Sequence, residues 1–253
     1  MLRFMVILSL IHLIEIDLAT EAYQNASRAT GFAGTTPFSS NFDEVADVRQ
    51  ILVDNGCAMD IGALSLVLGT AAGTNLRKLA TLTGVNTSGT DATLRRGELL
   101  NLQSFSLRES AGVVSHTKGT GTSYLLNDPA SAVGNTTIAL DTGSGTILAG
   151  DIITFAGTAD QYVVNKALAG GALDIGSPGL RIAEANNDAV TVGNNFSANV
   201  GFHRSALELA IRAPAVPDGG DAADDAMLVQ DPFSQLIFEI RVYKGYRKAM
   251  IEV

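Results

Sequence analysis

Four carboxylates stand within ten residues of this chain: Asp218, Asp221, Asp224 and Asp225 in the stretch PDGGDAADDA, residues 217–226. Carboxylates at this density can hold calcium or magnesium through hard oxygen ligands. The order differs, however, from D-x-[DN]-x-[DN]-G, which sets ligands at alternate positions and adds a distant Glu. Without a cation such groups repel one another, so they must stand in water or face basic side chains. The stretch therefore reads as a solvated acidic loop that meets a partner, with a weak cation site as the competing reading. His12, His116 and His203 share no metal-ligand spacing with one another or with Cys57. Ser144 lies between Gly143 and Gly145 in turn-like sequence, without a G-x-S-x-G elbow or a recognisable base. The turn GTAAGT, residues 69–74, follows an apolar run as phosphate-cradling loops do, but lacks the Lys and the spacing of G-x-x-x-x-G-K-[ST]. Cys57 is single and reads as a structural thiol. No catalytic, cofactor-binding or metal-ligating residue is assigned, and no enzymatic reaction is expected.

Composition narrows the classes of function. Hydrophobic residues make up 46% of the 253 and charged residues 17%, which excludes general disorder, and 26 glycines with few aromatics imply many turns between short strands. A net charge of −9 argues against a protein that grips nucleic acid by neutralising phosphates. The basic pairs Arg77-Lys78, Arg95-Arg96 and Arg247-Lys248 are too scattered to form such a footprint. With one cysteine no internal disulfide can form, which suits a reducing compartment, and the N-x-[ST] sequons such as Asn86-Thr-Ser88 read as chance matches.

The elements that must position these residues follow from periodicity. MLRFMVILSLIHLIEIDLAT opens like a secretory leader, yet His12, Glu15 and Asp17 interrupt the apolar run, which is too polar at one end to span a bilayer. Ile14, Leu18, Ala22 and Ala26 recur every four residues, so a long helix packed against protein is expected, stopping by Gly31. SSNFDEVADVRQILVDNG carries cap candidates in Ser40 and Asn41, acids in the first turn and Gly56 at its end, a second helix. ALSLVLGTAAGTNLRKLATL reads as strand, small-residue turn and a helix with a stripe of Leu76, Leu79 and Leu82. Between 124 and 200 helical stripes vanish, and expected strands fall at Thr137–Leu140, Ile152–Phe155, Tyr162–Asn165, Ala172–Ile175 and Val190–Val192. This spacing suits a small barrel or sandwich inserted into a mixed α/β frame. FHRSALELAIRAP then reads as a short helix ending before Pro214. A final hairpin follows, in which Leu236, Phe238, Ile240 and Val242 alternate with polar residues and Lys244-Gly245 reverses the chain.

Taken together, EIDLATEAYQNASRATGFAGTTPF, LSLVLGTAAGTNLRKLATLTGVN, LRRGELLNLQSFSLRESAGV, GDIITFAGTADQYVV, GFHRSALELAIRAP and DPFSQLIFEIRVYKGYRKAMIEV resemble the major coat (capsid) protein of tailed bacteriophages of the P-twenty-two type, the gene-five coat family. The resemblance runs from about Glu15 to Val253, and the succession of segments is more specific than any one of them. It implies an α+β fold of the Hong Kong ninety-seven kind. Residues 1–123 would hold the spine helix and the first part of the capsid-fold core, 124–200 an inserted β-barrel, and 201–253 the rest of the axial and peripheral core with the last hairpin.

The function implied is assembly. Copies of the chain would form pentamers and hexamers that close an icosahedral head around double-stranded DNA, with a scaffolding protein and a portal, in the virion capsid and in the bacterial cytoplasm during assembly. A phage or a prophage could carry it, and no membrane or sequence-specific DNA contact is implied. Relatives carry an N-terminal arm and an extended loop before the spine helix, and more sequence after the last hairpin, so a shortened copy is expected. On this reading Asp218, Asp221, Asp224 and Asp225 form an intersubunit contact loop facing a neighbour's Arg or Lys. The alternative is a binding module whose β insertion recognises a glycan or a decoration protein, which would require Tyr124, Phe155, Tyr162 and Phe196 on one exposed face.

Overall fold

The computed structural model describes residues 2–252 apart from Ile61, Leu100, Pro129, Ala130, Ala213, Pro214, 216–219, Phe233 and Arg247, with side chains from Ser9 onward. The chain is mixed α+β and divides into two compact units, one of residues 16–206 and one of residues 1–15 with 207–253.

The first helix, α1 (Leu2–Gln24), ends seven residues before Gly31, where the Asn25 side chain donates to the Glu21 carbonyl at 2.9 Å and competes with helix continuation. Ile14, Leu18, Ala22 and Ala26 are half-buried, and Tyr23 is the buried anchor. After β1 (Arg28–Ala29), α2 (Asp43–Asp54) places Asp43 and Glu44 at its positive end and buries Val45. Phe42 occupies the cap position instead of Ser40 or Asn41, although Asn41 Oδ1 accepts the N–H of Asp43, the first helical residue, at 3.5 Å. Gly56, at φ +79°, ends the helix as expected.

In β2 (Leu64–Leu68) Leu64, Leu66 and Leu68 point into the core, the alternation of a strand covered on one face. The expected small-residue turn is already helical: α3 (Thr70–Lys78) begins directly after Gly69. The single helix expected across the leucine stripe breaks at extended Leu79 and restarts as α4 (Ala80–Thr83), with α5 (Val85–Ser88) and α6 (Ala92–Arg96) after it. Leu76, Leu79 and Leu82 are buried all the same, so burial of the stripe outweighs helix continuity. Next come β3 (Phe105–Glu109), parallel to β2 with Leu64 beside Phe105, and β4 (Ser115–His116).

Residues 124–197 supply β5 (Tyr124–Leu126), β6 (Thr137–Asp141), β7 (Ile152–Phe155), β8 (Gln161–Ala169), β9 (Ala172–Ile175), β10 (Ala189–Val192) and β11 (Phe196–Ser197). The strands expected from sequence recur within a residue at most ends; β8 is the exception, running four residues beyond Asn165. Six of them close antiparallel in the order β8-β7-β10-β5-β6-β9 and back to β8. Gly170-Gly171 makes the tight β8–β9 reversal with both residues at positive φ, a conformation glycine adopts without steric cost. Register shifts along β8 between Val164 and Lys166 and again before Ala169 supply the local bending that closure needs. Leu126, Ile138, Ile153, Tyr162, Val164 and Leu173 fill the interior.

The chain then rejoins the sheet it left. Strand β12 (Val200–His203) pairs antiparallel with β2, giving the order β12-β2-β3, so the barrel is inserted between two strands of one sheet. The helix expected over FHRSALELAIRAP does not form. Phe202 and His203 pair with Ser65 and Leu64, Ala206 N–H closes a turn on the His203 carbonyl at 2.8 Å, and residues 207–212 have no regular structure. An available strand partner overrides a short local helical pattern.

In the other unit, β13 (Asp225–Gln230), β14 (Ile237–Gly245) and β15 (Lys248–Glu252) form an antiparallel sheet in the order β13-β14-β15. The expected hairpin is β14 and β15, but the reversal falls after the Gly245–Lys248 pair instead of at Lys244-Gly245. Strand β13 was hidden by the aspartates that open it.

Candidate functional site

The acidic segment is built onto this sheet. Asp218 lies outside the described residues. Asp224 N–H donates to the Val242 carbonyl at 2.8 Å, and Asp225 begins β13 opposite Val242, which stations Asp221 and Asp224 beside β14. On that strand Glu239, Arg241 and Tyr243 share one face because they are two residues apart. Arg241 donates to Asp221 and, through Nη2, to both Glu239 oxygens at 3.1 Å; the Tyr243 hydroxyl donates to Asp221 at 3.0 Å. Lys244 pairs with Asp224 at 2.9 Å. Asp221 and Asp224 thus face basic groups, one of the two surroundings their density allowed, and the partners in this structure come from the chain's own β14.

The electrostatics follow the same contacts. Partial burial pushes the Asp221 carboxyl up, but the Tyr243 hydrogen bond and the Arg241 charge outweigh it and hold the group below the usual carboxylate range. Arg241 is raised by its bonds to Tyr243 and Glu239, and Lys244 by its bond to Asp224 and the nearby Asp225. On Tyr243 the Arg241 bond lowers the phenol, while burial and the bonds to Asp221 and Glu252 raise it further, for a net rise. The arrangement is a polar clamp between the segment that leads into β13 and one face of β14. Arg241 and Tyr243 were legible as a face of β14 from period two, but nothing in the sequence tied that face to the aspartates twenty residues earlier.

A second polar constellation lies in the barrel unit and was not foreseen. His116 on β4 bonds through Nε2 to Asp151 Oδ1 at 2.8 Å, and its Nδ1 meets the Tyr23 hydroxyl at 3.1 Å. Asp151, fully buried, also accepts the backbone N–H of Gly119 and, at 2.7 Å, that of Leu148. A carboxylate only accepts, so His116 donates from Nε2 to Asp151; with a neutral ring, Nδ1 is then the acceptor for the Tyr23 hydroxyl. The rings of Tyr23, His116 and Phe196 pack with centroids 5.2–6.2 Å apart. Gly150, at φ +91°, lies so close to the Tyr23 ring that a side chain there would collide with it. A Tyr–His–Asp line resembles a proton relay, yet each polar atom is spent on its neighbour, and what the line does is fasten the end of α1 to the base of the barrel.

The GTAAGT segment borders a cleft of about 180 Å³ lined by Thr35, Thr36, Ser110, Ser115 and Asn199 around the start of α3. No charged side chain lines it, and the Gly69 N–H is already spent on Asn199 Oδ1 at 2.7 Å. Among the described residues no three His, Cys, Asp or Glu side chains cluster as metal ligands, and no helix is long and apolar enough to cross a membrane. Cys57 is half-buried beside the α2–β2 core. Tyr124, Phe155 and Tyr162 are buried in the barrel and Phe196 packs on Tyr23 and His116, so the aromatics do not form the exposed platform a glycan module requires.

No protein-family profile and no curated protein matches the chain. Among solved structures, a chain from Mycobacterium phage Che8 is similar to it with a TM-score of 0.38 and 16% identity, the likeness covering 78% of this chain and 60% of that one, so this chain spans less than two thirds of that structure's length.

Proposed function

We propose that the chain is a structural subunit of a tailed double-stranded DNA phage or prophage, a major coat protein of the P-twenty-two type with a Hong Kong ninety-seven-like fold, whose copies tile into pentamers and hexamers. The single observation that carries the reading is the position of the barrel: a closed six-stranded barrel interrupts an α/β layer between β3 and β12, behind a long first helix. This is the order of elements that the sequence resemblance implies. The acidic charge supports it, since a wall that encloses DNA works best without gripping phosphates. On this reading the chain is not an enzyme, its partners are copies of itself with a scaffolding protein and a portal, and it works in the virion capsid after assembly in the host cytoplasm.

Electron microscopy of the purified chain over a rising concentration series tests this. Rings of five or six copies, or closed shells, are the expected result. A chain that stays monomeric throughout overturns it.

A further inference from the structure

Among the described residues nothing pairs with the outer edge of β15, so a row of backbone N–H and C=O groups is left for another chain. The strand reads Lys248-Ala249-Met250-Ile251-Glu252, every residue of it exposed, with neither a proline nor a bulge to blunt it. Met250 is 61% exposed and Ile251 48%, and Tyr246 in the adjoining turn is 87% exposed. Apolar side chains on an unpaired edge are a template for strand addition.

We infer that β15 is a self-complementary edge, pairing antiparallel with β15 of a second copy about a twofold axis at Met250. The charges choose this occupant and this register. With Met250 opposite its own copy, Lys248 of each chain stands opposite Glu252 of the other on one face, and Ala249 stands opposite Ile251 on the other face. Opposite charges directly across an antiparallel pair are favourable, and like charges are not. Parallel pairing would set Lys248 against Lys248, and a slip of one residue would break both ion pairs. The contact is isologous, joining two three-stranded sheets into one of six. Met250, Ile251 and Tyr246 together expose on the order of 400 Å² per copy, about half of the ~800 Å² per partner that a stable interface buries, and the paired backbone adds to it.

This deepens the shell-subunit reading, since a closed shell contains twofold contacts, but it stands without that reading. The test uses full-length Lys248→Glu and Glu252→Lys, each checked for native circular dichroism and examined by analytical ultracentrifugation alone and mixed in equal amounts. Each variant alone places like charges at both pairs and is expected to weaken self-association about tenfold. The mixture pairs Glu with Lys at both positions and is expected to restore it. Restoration supports the inference. Wild-type chain that stays monomeric, single variants that associate as wild type does, or a mixture that stays dissociated all overturn it. Shells that form unchanged with Lys248→Glu would remove this contact and leave the shell reading standing. Twofold dimers without rings or shells would do the reverse.

Discussion

The barrel and the C-terminal sheet are both antiparallel, yet they solve the problem of a strand edge in opposite ways. Every barrel strand has at least two neighbours, and the interior is filled by side chains such as Ile138, Ile153 and Tyr162 that water does not reach. The C-terminal sheet has two open edges, and among its described residues Ile240 alone is buried. The segment leading into β13 is tied to β14 by the polar clamp of Asp221, Arg241 and Tyr243, while Met227, Leu228, Met250 and Ile251 are exposed. A small open sheet of this kind buries little apolar surface by itself, and exposed apolar area of this extent marks an interaction surface. One region buries its apolar side chains within its own closed sheet, and the other leaves them exposed.

The sharpest way to break this contrast is to cut one large side chain from each region. Tyr162 is fully buried, and its hydroxyl accepts the Arg181 N–H at 3.0 Å. Tyr162→Ala is expected to cost about 3–5 kcal/mol in urea unfolding, from lost transfer energy and the cavity left behind. Met227→Ala, on the exposed sheet, should change stability by less than about 1 kcal/mol. Equal costs would mean that the two regions are packed alike.

A smaller effect is expected where the barrel is fastened to α1. Asp151→Asn keeps one accepting oxygen but turns an amide NH2 toward groups that are themselves donors, His116, Gly119 and Leu148. A buried charge-assisted network losing its acceptor is expected to cost about 2–3 kcal/mol in the same unfolding measurement. Replacing His116 and Asp151 together by apolar residues of similar size is expected to recover only the share of this loss that comes from His116, since the Tyr23 hydroxyl and the Gly119 and Leu148 N–H groups still lose their acceptors. A double variant that is as unstable as Asp151→Asn would place the cost in the Gly119 and Leu148 bonds instead.

How much of this was legible depends on whether a residue's partner lies near it in sequence. Strands β6, β7 and β10 announce themselves because adjacent β-branched residues stand between glycine, asparagine and aspartate turns, which is local information. Strand β13 was missed because the same aspartates that read as loop are held by β14, fifteen or more residues away, and the helix over residues 202–212 was misread because β2 claims Phe202 and His203 from the other end of the unit. The leucine stripe was read correctly as core and wrongly as one helix, since periodicity reports which side chains are buried and says less about where the backbone bends. At the candidate site the density of carboxylates called for either water or basic neighbours, and Arg241 and Lys244 are such neighbours, but density alone could not choose between the two or say on which strand the bases stand. The Tyr23–His116–Asp151 line had no sequence signal at all, because its members are 35 and 93 residues apart.

The smallest predicted effect sharpens the comparison from the side of the open sheet. Asp221 is held below the usual carboxylate value of about 3.9, so it binds a proton less readily in the folded state than in the unfolded one. A depressed carboxylate contributes stability that is fully present above its unfolded pKa and is lost as pH falls through the folded value, so the effect belongs below about pH 4. Wild-type chain is therefore expected to exceed Asp221→Asn in melting temperature at neutral pH, by a degree or so at most for a surface group, with the gap closing on acidification. The carboxyl carbon of Asp221, followed by NMR, should titrate below an ordinary aspartate and move up in Tyr243→Phe and again in Arg241→Met, because those two partners are what hold it down. An Asp221 that titrates normally in the wild type would mean that this part of the clamp is not formed in solution, leaving the Lys244–Asp224 pair and the backbone ladder to hold the segment entering β13 against β14. In that case the open sheet would depend on a neighbouring copy for its order, and its strands should become protected from hydrogen exchange only at concentrations where copies associate.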